Sequence, residues 1–287
     1  MCLIFAACSN DSYNQEAEPL STSAPVTVRV DGFSISQEEF SGASRMTRAT
    51  AVGDYSNVKV LTLAFYASNG TEVYKSTQSK NEANFGEFSL SLPIGSYTMV
   101  VLGYVLYDED ELTLTSPTQA EYTNGCPRET FAVTQEVNVT NTTAKEFTAT
   151  LNRIVTCLQV ISTDGRTANI NKVRMTFSAG GKQFSPTSGL ATVNTGSVST
   201  VGVSAAEGAS STSIGYVFLT TDEQTMDVTI ETLDAEGNTI YSKTVENVPF
   251  KRNRKTKLTG AIYAADATAS GFQVNTDWLD EEAPIVF

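Results

Sequence analysis

Alternation of apolar and polar residues with a period of two recurs along most of the chain. Residues 26–31, 87–92, 172–177 and 226–231 are four examples. Because successive side chains of a β-strand point to opposite faces, each stretch predicts a strand with one face on a core and the other in water. No stretch carries an apolar stripe of helical spacing longer than about three turns. The pattern therefore predicts an all-β protein.

Two further stretches, residues 58–66 and 97–106, are apolar on both faces and predict central strands. Turn signals such as Asn69-Gly70 and Asp164-Gly165 come at short intervals, which is typical of β-sandwiches. One set of strands runs from about residue 24 to 146 and includes a less regular stretch over 108–128. A second set follows. The sequence predicts an N-terminal β-sandwich domain over residues 25–147 and a C-terminal one over 148–287.

The charge and the residue types exclude several classes of function. Lys and Arg number 19 and Asp and Glu number 32, for a net charge of −13, which disfavours nucleic-acid binding. The chain has no histidine, so Ser–His–Asp and Cys–His nucleophiles and the usual zinc sites are absent. A pair of carboxylates of the glycosidase kind stays formally open. We expect no catalytic residue, no cofactor and no metal.

The first eight residues resemble the end of a bacterial lipoprotein signal. They read Met-Cys-Leu-Ile-Phe-Ala-Ala-Cys, an apolar run with small residues just before Cys8. We expect residues 1–7 to be the remnant of a signal peptide, Cys8 to be lipidated, and residues 8–24 to form a flexible tether to the outer membrane. A complete signal begins with a basic segment and a longer apolar stretch, so we expect the precursor to start further upstream. The alternative is an ordinary apolar N-terminus with a chance cysteine.

Two other cysteines, Cys126 and Cys157, have two open interpretations. They form a disulfide in an oxidising compartment, or they are separate thiols, since residue 157 also fits a buried strand. Spacing alone does not decide between the two.

Several phrases together resemble the Bacteroidetes-type fimbrillin superfamily, and within it the FimB-like minor or anchor subunits. These phrases are Met46-Thr-Arg-Ala49 with the strand at 58–66, Leu92-Pro-Ile-Gly-Ser-Tyr97, Leu151-Asn-Arg-Ile-Val155, the run from Val248 to Gly260, and an ending with Trp278. The resemblance implies two tandem transthyretin-like Greek-key β-sandwich domains. It also implies a lipoprotein of outer-membrane pili that acts in fimbrium assembly and cell adhesion, with host or bacterial surface ligands among its partners.

In stalk subunits of this type, a protease cuts after an arginine, and a strand of another subunit fills the groove that is opened. The resemblance places such a cut at Arg45 or Arg48, which would remove the strand at 26–31. Other fimbrial subunits would then be partners by strand addition. The alternative is that both arginines are solvated and the strand stays in place, as in anchor subunits.

A different function class is a surface lipoprotein that binds glycans. Its sequence evidence is a loose cluster of aromatics at Tyr104, Tyr107 and Tyr122, which would form a binding platform. The basic run at 251–255 is interpreted as a solvated strand connection, and the acidic run at 108–111 as a solvated loop.

Overall fold

The computed structural model describes residues 22–37, 46–50, 57–107, 110–264 and 273–275. Within these ranges the chain forms strands, turns and loops, and no helix. The all-β fold class predicted from the alternation is confirmed. No helix capable of spanning a membrane occurs in the part of the chain that is described.

The first half of the chain contributes ten of the described strands. They are β1 Ser23–Gln37, β2 Met46–Thr50, β3 Val60–Ala67, β4 Glu72–Ser79, β5 Glu87–Pro93, β6 Gly95–Tyr104, β7 Glu111–Ser116, β8 Gln119–Asn124, β9 Thr130–Val139 and β10 Lys145–Arg153. The largest sheet has the order β2-β1-β10-β9-β6-β3-β4, and β5 also pairs with β1. The predicted strands at 26–31, 58–66 and 97–106 all lie within this sheet.

Nine further strands follow. They are β11 Thr156–Ser162, β12 Lys172–Phe177, β13 Gln183–Phe184, β14 Ser197–Gly202, β15 Thr212–Val217, β16 Glu223–Leu233, β17 Thr239–Lys251, β18 Lys255–Gly260 and β19 Gln273–Asn275. Eight of them build two four-stranded sheets, β15-β11-β18-β19 and β14-β12-β16-β17, and β13 joins the β7–β8 hairpin in a three-stranded sheet. Leu158 and Val160 of one sheet share a core with Val173, Met175 and Val228 of the other, which makes a sandwich.

Strand β3 shows why a central strand is apolar on both faces. Leu61, Leu63 and Phe65 point into the core that the first half of the chain forms with itself. Ala64 and Tyr66 point the other way, into a third cluster that also contains residues of the second half. The strand is therefore covered by one core on each side.

The stretch expected to be less regular, residues 108–128, contains the β7–β8 hairpin. The hairpin pairs with β13 of the second half through Glu121 opposite Gln183 and Ala120 opposite Phe184. In the third cluster the rings of Phe184 and Phe218 stack with their centroids 4.1 Å apart. The alternation is irregular in this stretch because the pairing of β7 with β8 shifts register twice, between Glu111 and Leu112 and between Leu114 and Ser116.

The boundary predicted between residues 147 and 148 falls inside a strand. Residue 147 lies inside β10, which belongs to the largest sheet. The first core ends at Leu151 and the second begins at Leu158. At the other end, β1 starts at Ser23 and Ala24 is fully buried, so the core takes in residues that the sequence assigned to the tether. The division into two domains stays a prediction.

Candidate functional site

Strand β1 is hydrogen-bonded along both edges. Residues 23–29 pair antiparallel with β5, and residues 26–34 pair in parallel with β10. Residues 33–37 also pair with β2. We call the space between β5 and β10 the β1 slot. A strand in this position has its backbone N–H and C=O groups satisfied on both sides, and it satisfies the facing edges of β5 and β10.

The inward side chains of β1 are small or β-branched. Ala24, Val26, Val28 and Val30 are 0–5% exposed and form part of the first core. The residues between them, such as Pro25 and Arg29, are exposed or half-buried. The alternation predicted for 26–31 is confirmed, because only one face of the strand meets the core.

A one-residue bulge changes the phase of β1. Val30 lies opposite Ala149 and Gly32 opposite Thr150, so Asp31 is the extra residue. A bulge of this kind moves the inward face from even-numbered to odd-numbered residues. As a result Phe33 points into the core, where it is fully buried and lies opposite Leu151 in the pairing.

The Phe33 ring lies in a pocket that depends on a glycine. Its centroid lies 4.8 Å from that of Phe131. A Cβ built on Gly103 would lie 2.8 Å from Cε1 of Phe33, 3.1 Å from Leu151 and 3.3 Å from Leu61. Real Cβ atoms do not approach so closely, so the missing side chain of Gly103 provides the space for the ring.

The outward face of β1 carries one cation between two carboxylates. The Arg29 Nε atom lies 3.2 Å from Glu87 Oε2 on β5, and Nη1 lies 3.6 Å from Glu146 Oε2 on β10. The hydrogen bond to Glu87, and then the charges of both carboxylates, raise the pKa of Arg29. These side chains are about half exposed or more, so the contacts orient the strand more than they stabilise the fold.

The far end of the sheet is joined to β5 by one side chain. Gln78 of β4 is 4% exposed; its Nε2 donates to the Glu87 carbonyl at 2.8 Å, and its Oε1 accepts from the Gly86 amide at 2.9 Å. Among the described strands, β5 pairs in register only with β1. The Gln78 carboxamide therefore closes the sheet where no strand pairing does.

The structure describes one of the three residues that were predicted for processing and lipidation. Cys8 and Arg45 lie outside the described residues. Arg48 is in β2, with its backbone opposite Ile35 of β1, and β2 pairs with no other described strand. The structure thus connects the Arg48 segment to β1 alone.

Cys126 and Cys157 are separate, buried thiols and form no disulfide. The Ser199 hydroxyl donates to Cys126 Sγ at 3.7 Å. Burial raises the pKa of the Cys157 thiol to about 12. Of the two interpretations left open by the sequence, the buried thiols are the one observed.

The predicted aromatic platform is wrong. Tyr104 and Tyr122 are buried, and their hydroxyls bond to Thr62 and Thr130, each at 2.9 Å. Only Tyr107 of this cluster is exposed, with the Arg128 guanidinium 4.6 Å from its ring centroid. The two tyrosines are buried because the second half of the chain covers this face of the sheet.

The basic run at 251–255 forms ion pairs with carboxylates on the same surface. In the basic run, Lys251 Nζ lies 2.9 Å from Glu223 and Arg252 Nε lies 2.7 Å from Asp222. These two cations are neutralised by neighbours on the same surface. The described residues contain no group of three or more side chains that could together hold a metal ion.

A family model matches residues 22–284, which is nearly all of the chain that the structure describes. It is the model of a family of unknown function, DUF6562. The chain belongs to this DUF6562 family. A search among curated proteins finds no match.

Solved structures share the fold of this DUF6562 protein at low identity. A candidate adhesin from Bacteroides ovatus aligns with a TM-score of 0.51 and 14% identity, over 91% of this chain and 96% of that one. A candidate polysaccharide-binding protein (DUF1812) from Bacteroides thetaiotaomicron aligns with a TM-score of 0.50 and 11% identity, over 88% and 96%. The matches also include the fimbrial anchor protein Mfa2 from Porphyromonas gingivalis, at a TM-score of 0.49, 10% identity and coverages of 89% and 97%. The resemblance stated from the sequence is confirmed as a likeness of fold.

Proposed function

We propose that the chain is a non-enzymatic subunit of a fimbrium-type surface fibre and acts in fibre assembly and adhesion. The observation that supports this most directly is the β1 slot. An N-terminal strand lies between two strands that would both keep an open edge if it left. The fold shared with a candidate adhesin is consistent with such a role.

Strand addition explains how a slot of this kind joins two subunits. Departure of β1 would uncover the hydrogen-bonding edges of β5 and β10 and the apolar floor beneath Val26, Val28 and Phe33. Unpaired backbone groups and exposed apolar surface both favour a replacement strand. A strand of another subunit would restore the backbone bonds and fill the same positions.

Cleavage at an arginine is the proposed trigger. Arg48 is paired through its backbone with Ile35, so a protease would reach that bond only after local opening. We therefore assign the cut to Arg45. The cut would leave β1 held only by non-covalent contacts, and these can be exchanged.

The order of segments along the chain links assembly to membrane attachment. Cys8 is the proposed lipid site, and residues 8–24 would form a tether that leads into β1 at Ser23. A cut after Arg45 would separate the body of the protein from its lipid in the same step that frees the slot. An uncut chain keeps both its lipid and its strand, as expected of an anchor at the outer membrane.

Intact-mass spectrometry of protein from native outer membranes and from sheared fibres tests this proposal. A mass that begins at an acylated Cys8 identifies an anchor or other stationary subunit. A mass that begins at Met46 without lipid identifies a subunit that polymerises. Protein with no lipid, an intact N-terminus and no association with fibres would refute the proposal.

Glycan binding at the outer surface is the second candidate function. It is suggested by the fold shared with a candidate polysaccharide-binding protein. Tyr107 is the one exposed member of the predicted aromatic cluster, and because Arg128 lies over one face of its ring, a sugar would stack on the other face. A glycan array with the wild-type chain and Tyr107→Ala tests it, and binding that the substitution does not reduce would remove this ring from consideration.

A further inference from the structure

We propose that the β1 slot selects the strand of a partner subunit by two side chains on opposite faces, a cation opposite Thr148 and an aromatic ring opposite Leu151 of β10. The inference rests on the proposed function, since it names the chemistry of the strand that strand addition would bring in. The occupant is an extended segment of another fibre subunit.

The aromatic requirement follows from the pocket under Phe33. Gly103 leaves a space that the ring fills, and Phe131, Leu61 and Leu151 form the rest of its surroundings. An incoming strand with a small residue at this position would leave a cavity among fully buried side chains. An aromatic residue restores the contacts because its flat ring fits beside a residue that has no side chain.

The cation requirement follows from Glu87 and Glu146. One stands on each wall of the slot, and Arg29 of the resident strand contacts both. Without a cation between them, these carboxylates would face each other in a protein whose net charge is −13. An acidic residue at this position would add a third negative charge, so the slot disfavours acidic strands.

The bulge fixes the spacing between the two side chains. Asp31 is the extra residue that places Arg29 outward and Phe33 inward, four positions apart. In an unbroken strand, residues four apart lie on the same face. An unbroken donor strand whose ring and cation are four positions apart would therefore direct one of them to the wrong side. An unbroken donor with the two side chains three positions apart would match Thr148 and Leu151 of β10 without a bulge. The slot therefore selects the register of a donor strand as well as its residue types.

The four small inward positions complete the selection. Ala24, Val26, Val28 and Val30 are packed against the first core with almost no exposed surface. Larger residues would overpack these sites, and polar residues would be buried without partners. The expected donor therefore carries small or β-branched residues at four alternate positions before the bulge.

A peptide-exchange experiment tests the selection. The full chain is nicked at a specific protease site engineered within residues 38–45 and mixed with an excess of fluorescent peptide of residues 23–37, whose binding is read by anisotropy. The test peptides are Phe33→Ala, Arg29→Glu and a peptide with Asp31 and Gly32 both deleted, which leaves the ring and the cation two positions apart and on one face. The controls are Thr27→Ala, which changes an outward position, and a scrambled sequence.

The expected order of affinities is specific. Phe33→Ala and the double deletion should each bind about 100-fold more weakly than wild type, as expected for an empty or misdirected aromatic position. Arg29→Glu should bind about 10-fold more weakly, with a loss that shrinks at high salt. Thr27→Ala should bind within about 3-fold of wild type.

The outcomes separate this inference from the function on which it rests. If the wild-type peptide binds and the Phe33→Ala, Arg29→Glu and deletion peptides bind equally well, the selection is refuted while strand addition stands. If the wild-type peptide does not enter the nicked chain, the slot does not exchange strands, and the proposed function and the selection both fail. Equal binding of the scrambled peptide would also refute the selection.

Discussion

Replacing Gln78 with methionine should loosen β5 from the rest of the sheet. Methionine has a similar length and fits a buried site, but it cannot donate to the Glu87 carbonyl or accept from the Gly86 amide. The Gly86 amide would lose its partner, whereas the Glu87 carbonyl still accepts from Asn84 Nδ2 at 3.3 Å. A buried backbone group left without a partner costs about 1–3 kcal/mol, and we expect a local loss of that size. Since 1.4 kcal/mol is a tenfold change, amide exchange in β5 should become about 5-fold faster or more.

Hydrogen exchange followed by mass spectrometry of the peptides that cover residues 86–93 measures this effect. Gln119→Met is the matched control, because Gln119 is exposed and the same chemical change there should leave β5 unaffected. Exchange in β5 at the wild-type rate in Gln78→Met would show that the pairing with β1 alone holds β5. The argument that one carboxamide closes the sheet would then be wrong.

Three further predictions concern charge, thiol chemistry and backbone. Arg174 forms a bidentate hydrogen bond with Glu231 and lowers the pKa of that carboxyl. The pair therefore stabilises the fold at a pH above the pKa of Glu231 in the unfolded chain. This stabilisation is lost as the pH falls through the lower pKa of Glu231 in the folded chain. Urea melts from pH 6 to 3 should show a loss of under about 1 kcal/mol that Glu231→Gln lacks. With a pKa of about 12 in a buried site, Cys157 should react with a thiol reagent at pH 8 only after unfolding. Gly125→Ala should lower stability by about 1–3 kcal/mol in thermal melts, because Gly125 has φ of +76° and a Cβ there would lie 1.8 Å from a carboxylate oxygen of Asp110. Gly70→Ala is the control, since Gly70 has φ of +82° and a Cβ there would have nothing within 4 Å. It should lose only the stability that the backbone conformation costs a residue with a side chain.

Each of these has a clear contrary result. Parallel pH profiles of wild type and Glu231→Gln would mean that the ion pair contributes nothing measurable. Fast labelling of Cys157 in the folded chain would mean that its strand opens readily. Equal losses for the two alanine variants would show that the contact at Gly125 relaxes without strain.

The sequence predicted the strands well where the alternation is unbroken or the whole stretch is apolar. The valines of β1 were readable because side-chain direction in a strand has a fixed period, and β3 and β6 were readable as apolar runs because a core covers each face. The β7–β8 hairpin was not readable in this way. Its pairing shifts register twice, and its apolar residues lie in a cluster built from both halves of the chain, which a pattern along the chain does not record.

The candidate site was only partly predictable, because some of its contacts join segments that are distant in the sequence. The strand at 26–31 and the two arginines were named from the sequence, whereas the roles of Gln78 and Gly103 were not. A glutamine in a strand and a glycine in an apolar run become meaningful only when distant segments meet. Tyr104 and Tyr122 were misread because a tyrosine can be buried with its hydroxyl bonded as readily as it can be exposed.

The parallel pairing of β1 with β10 has a consequence for folding kinetics. Val26 is a partner of Lys145, so the edge of β1 that faces β10 cannot be paired until more than a hundred further residues have arrived. Pairings between such distant segments form slowly, because the intervening chain must first be closed into a loop. We expect every newly made molecule to pass through a stage in which this edge of β1 is still open, even where β5 already pairs with the other edge. During that interval a neighbouring chain competes for the same edges, and the outcome depends on concentration as well as on affinity.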